Sequence, residues 1–195
     1  MGAEEFRKRK SMAHMTEAPP LQVFKAKLTR RGTIIDDAGA IEYLSQRGYG
    51  EKLDAGKLRL YDYETLYLMY TGRLEVEKGS KKLTLEEMVD VALRRDDDAW
   101  IKFLVYRDLR SRSYVVREGF GFGIDFRVYE KGEYGEKPAK YVVFCLSEGS
   151  TMRARQIQRA VQQIMTMGKE PVIAVVERRG EVIYYKVNPT FRSAR

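Results

Sequence analysis

Two continuous apolar runs with a helix between them leave this chain little choice of fold. Tyr141 to Leu146, YVVFCL, is apolar on both faces, as a strand covered on both sides must be. After Ser147 to Ser150, the residues Ile157, Ala160, Val161 and Ile164 recur at i, i+3, i+4 and i+7 as far as Gly168, the pattern of an amphipathic helix. Val172 to Val176 is again continuously apolar. A strand, a helix and a second strand of this kind imply a right-handed parallel crossover, so the chain is expected to be α/β. Arg179-Gly180 then turns it into a last strand, Glu181 to Val187.

The stretch leading into this unit, Val105 to Tyr129 (VYRDLRSRSYVVREGFGFGIDFRVY), carries most of the chemistry. Asp96, Asp97 and Asp98 crowd the start of a helix in which Ile101, Leu104, Val105 and Leu109 form one apolar stripe. The acids suit the positive end of the helix dipole, and Arg107, Arg110 and Arg112 gather toward its negative end. Tyr114 to Arg117 is a short β-prone run. From Phe120 onward, Phe120, Phe122, Ile124, Phe126 and Val128 alternate with Gly121, Gly123, Asp125, Arg127 and Tyr129. An alternation unbroken by a glycine bulge places Asp125, Arg127 and Tyr129 on the face opposite the apolar row. The second half, 96–195, thus reads helix, three strands, helix, two strands.

Upstream, residues 21–95 read as a small mixed α/β domain. Val23 to Leu28 and Thr33 to Ile35 are strand-like around Arg30-Arg31-Gly32. Asp36 and Asp37 open a short helix carrying Ile41 and Leu44, and a second helix starts near Asp62 and ends at Gly72. A third follows the capping box of Thr84 and Glu87. Residues 1–20 mix charges with small residues, end in Pro19-Pro20 and lack a period, so they are expected to be a disordered tail. The junction at His14-Met15 is compatible with a natural start at Met15, which would make residues 1–14 foreign.

Composition narrows the function classes. Thirty-six Lys and Arg against twenty-eight Asp and Glu give +8, which favours solubility and a polyanionic partner. The single cysteine, Cys145, lies in an apolar run and excludes an intrachain disulfide, and the single histidine, His14, lies in the tail. No serine or cysteine dyad with histidine can be built in the folded part. No run approaches the roughly 18 apolar residues of a membrane span, so no membrane association and a cytoplasmic location are expected.

The order helix, three strands, helix, strand resembles the restriction-nuclease-like core, whose metal-dependent members carry an Asp on the second strand and Glu-x-Lys on the third. Asp125 fits the first requirement, but Tyr141 to Leu146 has no carboxylate. No metal or other cofactor is therefore expected, and Asp125 is expected to pair with an arginine. The glycines from Gly119 to Gly123 alternate with aromatics in a strand and precede no helix, so they are not a phosphate loop. Arg107, Arg110, Arg112, Arg117 and Arg127 suit either a phosphate-binding surface or an ordinary solvated face.

The stretch Val105 to Tyr129 closely resembles the signature of archaeal tRNA-splicing endonucleases, which run V/I-Y-x-D-L-R-x-R-G-Y-x-V-x-x-G and then F/Y-G-x-D-F-x-V-Y. Gly48 to Glu51, Leu60 to Leu74 and the closing Val172 to Val187 resemble the same family more weakly. The resemblance implies metal-independent RNA cleavage to a 2′,3′-cyclic phosphate and a 5′-hydroxyl, using a tyrosine, a histidine and a lysine. It puts the tyrosine at Tyr129. The histidine belongs where this chain reads Pro138-Ala139-Lys140-Tyr141 and is missing. The lysine falls on Gln162 or Gln163 when aligned on the helix, and on Lys169 when aligned on the following strand. Similarity therefore points to a structural subunit with a vestigial Tyr129, partnered by two catalytic subunits in a heterotetramer that acts on precursor tRNA. In the relatives the closing strand and an acidic loop make the assembly contacts, which here implicates Val182, Tyr184, Tyr185 and Glu148. Two alternatives stand beside it: a self-contained RNA endonuclease using Tyr129 and Lys169, and an RNA-binding module with no enzyme partner.

Overall fold

A computed structural model describes residues 22–121, 123–151 and 154–187. The expectations for residues 1–20, including His14, fall outside the described residues.

The first sheet has six strands, in the spatial order Glu51–Leu53, Lys57–Leu60, Gly32–Ile35, Phe24–Thr29, Leu74–Lys78 and Lys81–Lys82. Strands β1 (Phe24–Thr29) and β2 (Gly32–Ile35) form the expected hairpin around Arg30-Arg31. Helix α1 (Ala38–Gln46) starts where Asp37 Oδ1 accepts from the Ala40 N–H at 2.7 Å. Strands β3 (Glu51–Leu53) and β4 (Lys57–Leu60) follow, and α2 (Asp62–Tyr70) lies where the sequence places it. Strand β5 (Leu74–Lys78) pairs parallel with β1, and β6 (Lys81–Lys82) closes the edge. Helix α3 (Leu85–Arg95) keeps both arms of its capping box: the Glu87 N–H donates to Thr84 Oγ1 at 3.2 Å, and the Thr84 N–H to Glu87 Oε2 at 3.0 Å.

After Asp96–Asp98 come α4 (Ala99–Ser111), β7 (Val115–Gly121), β8 (Ile124–Tyr129), β9 (Tyr141–Ser147), α5 (Ala154–Thr166), β10 (Glu170–Val176) and β11 (Val182–Lys186). The second sheet runs β11-β10-β9-β8-β7, and β9 and β10 are the expected parallel pair. Phe103, Leu104 and Leu109 of α4 join one buried cluster with Val128, Val143, Val172 and Ala174, while Ile164 of α5 packs with Val142 and Phe144. Since neighbouring residues of a strand face opposite ways, the two helices cover the two faces of the sheet. The α4 cluster continues into the first sheet through Tyr63, Leu66 and Tyr49, so one core joins both halves. No helix among the described residues is long and apolar enough to cross a membrane.

The glycine-rich stretch departs from the alternation. It is not one strand but the turn of the β7–β8 hairpin, with a register shift between Glu118 and Gly121. A Cβ on Gly119 would lie 2.0 Å from the Ile124 carbonyl oxygen, and Gly121 and Gly123 take left-handed φ of +82° and +81°. Among the described residues of the expected row, Phe126 and Val128 join the α4 cluster, Ile124 packs on the α5 side, and Phe120 is 43% exposed.

Candidate functional site

Strand directions bring three segments to one end of the second sheet. Strand β8 runs antiparallel to β9, with Val128 opposite Tyr141, and β9 runs parallel to β10, with Tyr141 opposite Glu170. The last residue of β8, the residues before β9 and the residues before β10 must therefore meet. Tyr129, Pro138–Lys140 and Lys169 occupy those places. The Lys140 N–H donates to the Val128 carbonyl at 3.0 Å, and the Glu170 N–H to the Lys140 carbonyl at 2.9 Å.

Tyr129 is half-buried, its ring packed edge-on against Tyr134 with centroids 5.1 Å apart. Lys169 Nζ donates to the Ala139 carbonyl at 2.7 Å, so its ammonium is tied to the segment between β8 and β9. Lys140 Nζ donates to Glu130 Oε1 at 2.7 Å, and Tyr141 donates to the same oxygen at 3.0 Å. Hydrogen bonds to Glu130 and Tyr141 raise Lys140, and hydrogen bonds from Lys140 and Tyr141 lower Glu130. Lys186 of β11 reaches Glu170 at 2.8 Å. This end of the sheet carries three phenols, three ammonium groups and two carboxylates. It can attract a phosphate backbone, but Pro138 offers neither a side-chain nor a backbone N–H, and no histidine stands beside Tyr129 among the described residues.

Asp125 lies elsewhere and is paired differently from expectation. Its Oδ2 accepts from the Cys145 N–H at 2.7 Å, and its cation is Lys102 of α4 at 3.5 Å rather than an arginine. Burial raises its carboxyl, opposed by the Cys145 N–H and Lys102. The nearby Arg127 is engaged instead with the Glu118 carbonyl at 2.7 Å. Burial also pushes the Cys145 thiol well up, which suits an inert structural cysteine. No cluster of three metal-ligating side chains occurs among the described residues.

The five arginines do not form one surface. Arg110 is sandwiched within the fold, its guanidinium carbon 3.9 Å from the Tyr49 ring centroid and its Nη1 donating to the Arg47 carbonyl at 3.1 Å. Arg117 reaches from β7 into the first half, where Nη1 donates to the Gly48 and Gly50 carbonyls at 3.0 and 2.6 Å. Arg107 lies over Tyr70 and Phe103, and Arg112 pairs with Asp108 at 2.8 Å. Of the five, Arg112 alone is exposed.

Strand β11 is the edge of its sheet. Val182 and Tyr184 face inward, and the Tyr184 hydroxyl donates to Asp108 Oδ2 at 2.7 Å; Ile183 and Tyr185 are 38% and 53% exposed. Alternation fixes this division, and Ile183 is the outward residue the expected assembly set left out. Glu148 spends part of its carboxylate locally, with Oε2 accepting the Arg178 N–H at 3.1 Å.

Sequence reasoning passed over Glu64. It is fully buried, and its carboxylate accepts the Gly50 N–H at 3.0 and 3.1 Å and the Tyr61 N–H at 3.0 Å. Burial pushes it up to about 7 against the pull of those N–H groups and of Arg117 and Arg110. Its Gly50 partner lies fourteen residues back and leaves no local mark; the Tyr61 N–H, three residues back at the helix start, is the one local signal.

Comparison with known proteins adds the following. The family description "tRNA intron endonuclease, catalytic C-terminal domain" matches residues 99–184, and "tRNA intron endonuclease, N-terminal domain" matches residues 24–89. A tRNA-splicing endonuclease of Thermococcus gammatolerans is 37% identical over 151 residues, covering 77% of this chain and 89% of the relative. One of Methanococcus maripaludis is 36% identical over 171 residues, covering 87% and 96%. One of Pyrococcus furiosus is 35% identical over 144 residues, covering 74% and 82%.

Proposed function

Since the chain belongs to the tRNA intron endonuclease family and spans both of its domains, we propose that it is the structural, non-catalytic subunit of a tRNA-splicing endonuclease. In this reading two copies join two catalytic subunits in the cytoplasm to excise introns from precursor tRNA, with residues 21–95 and 96–195 as the chain's two domains.

One observation carries the reading. At the end of the second sheet that Tyr129 and Lys169 share, the chain reads Pro138-Ala139-Lys140, where the family resemblance implies a histidine. A missing general acid or base typically removes about 10² to 10⁴ in rate. Lys169 supports the reading further, because its ammonium is bound to the Ala139 carbonyl. The exposed Ile183 and Tyr185 on the unpaired edge of β11 suit a strand that another subunit covers, since an open edge of this kind invites association. Arg112 and the lysines around Tyr129 then offer cations that RNA can meet at this end of the sheet.

A second reading has its own support: Tyr129 and Lys169 do share one end of the sheet, as a self-contained enzyme would need. Kinetics with Tyr129→Phe separate the two. In the reconstituted enzyme the substitution is expected to leave the rate within a few-fold of the parent. A hundredfold loss with normal assembly would transfer the chain to the second reading.

A further inference from the structure

A hollow of about 340 Å³ opens at the tip of the β1–β2 hairpin, lined in part by Arg30, Arg31, Arg59, Tyr61, Asp62 and Arg95. Four guanidinium groups from three separate stretches of chain thus converge, none of them in the set singled out from the sequence.

Two are held in place. Arg59, on β4, pairs with Glu51 and sits 5.6 Å from the Tyr61 ring centroid. Arg95, the last residue of α3, donates to Asp62 Oδ1 at 2.7 Å and to the Thr29 carbonyl at 2.6 Å. The other two, Arg30 and Arg31, are exposed at the turn and form no ion pair among the described residues. With Glu51 and Asp62 matched to Arg59 and Arg95, the charges of Arg30 and Arg31 are left over. Tyr61 and Asp62 also wall a second hollow lined by Asp96, Glu118 and Asp125 with Lys102. Those acids repel an anion on that side and confine it to the arginines.

We propose that the arginine hollow binds backbone phosphates of the RNA substrate, at a distance from the Tyr129 end. The choice of RNA among polyanions rests on the tRNA-splicing reading. Guanidinium groups grip phosphate oxygens through paired N–H donors, and preorganised ones do so at less entropic cost. Location separates the two regions: the Tyr63 hydroxyl reaches Glu118 at 2.7 Å, and Glu118 lies three residues along β7 from Val115, the partner of Tyr129. That is about 10 Å at about 3.3 Å per strand residue, before the reach from Tyr63 back to the arginines. Such a grip positions the RNA without reading its sequence.

The test is a titration of labelled precursor tRNA with the full chain and with its Arg30→Glu/Arg31→Glu variant over a series of salt concentrations. The variant is expected to bind at least tenfold more weakly at low salt. Its plot of log affinity against log salt should flatten by about 0.7 to 0.9 for each phosphate it no longer neutralises. Thermal melting and association with a catalytic subunit should stay unchanged, because both side chains are exposed. Equal affinity and salt slope in the variant would overturn the proposal, as would a parent chain that fails to bind the RNA. Failure to associate with the catalytic subunit at unchanged RNA affinity would instead make the hollow a protein-docking surface. Failure of the structural-subunit reading is read separately, as cleavage by the chain alone, a signal on which the arginine variant has no bearing.

Discussion

Replacing Glu64 with Gln tests how the two halves are tied together. The Glu64 carboxylate holds the Gly50 and Tyr61 N–H groups, and Arg117 from β7 holds the Gly48 and Gly50 carbonyls, so the 48–50 segment is gripped from both halves. Burial raises Glu64 from an ordinary 4.5 to about 7. The folded protein therefore keeps this proton to a higher pH than the unfolded chain, and folding stability falls as pH climbs from the lower value to the higher. Between about pH 5 and about pH 7.5 the loss from this one group comes to about 2 kcal/mol. Glutamine keeps the shape and cannot ionise, so it lacks this decline, although its amide strands donors that cost about 1–3 kcal/mol at every pH. Urea denaturation at a series of pH values is the assay. The stability advantage of the parent over Glu64→Gln should shrink by about 2 kcal/mol from about pH 5 to about pH 7.5. Subtracting the mutant removes the parallel contributions of Asp62, Glu118 and Asp125, whose carboxyls burial also raises. A gap that stays constant, or widens with pH, would refute the reasoning.

Backbone and assembly give further expectations. Ser113, just after α4, has a left-handed φ of 69°, so Ser113→Gly should raise stability by about 0.5–1 kcal/mol in thermal or chemical melts. Gly48→Ala should do the opposite by at least about 2 kcal/mol, because its Cβ would lie 2.3 Å from Val115 Cγ1 at a φ of +74°. Tyr185→Asp should leave the isolated chain's melting unchanged yet block association with a catalytic subunit in size-exclusion chromatography with light scattering. Glu148→Lys should stall assembly at a heterodimer at little cost to the fold, since its pairing with Arg178 is exposed and of the kind worth about 0–1 kcal/mol.

What the sequence discloses is what local chemistry writes. Thr84 and Glu87 announce α3 because both partners of each capping bond lie within one turn. The β9–α5–β10 unit is legible because strands buried on both sides need continuous apolar runs. Strands β3 and β4 are not legible: Glu51–Leu53 and Lys57–Leu60 are short and half charged, and they become strands only by pairing with each other and with β2. Leu74 and Val76 do alternate, but the β1 edge they join is some fifty residues away. The glycine stretch misleads for another reason, since alternation of residue types says nothing about the sign of φ. At the candidate site, the choice of Tyr129 comes from the family resemblance, while its place at the end of β8 follows from strand direction. The employments of Arg110, Arg117 and Asp125 are not, because their partners lie 63, 69 and 23 positions away or were taken by a lysine on another element.

The central claim is decided by incubating the purified chain alone with precursor tRNA, in chelator and in Mg²⁺. On the proposed reading, in which no histidine serves Tyr129, no cleavage is expected in either, while addition of a catalytic subunit restores cleavage to 2′,3′-cyclic phosphate and 5′-hydroxyl ends. Robust cleavage by the chain alone in chelator, unchanged in His14→Ala, would contradict the account.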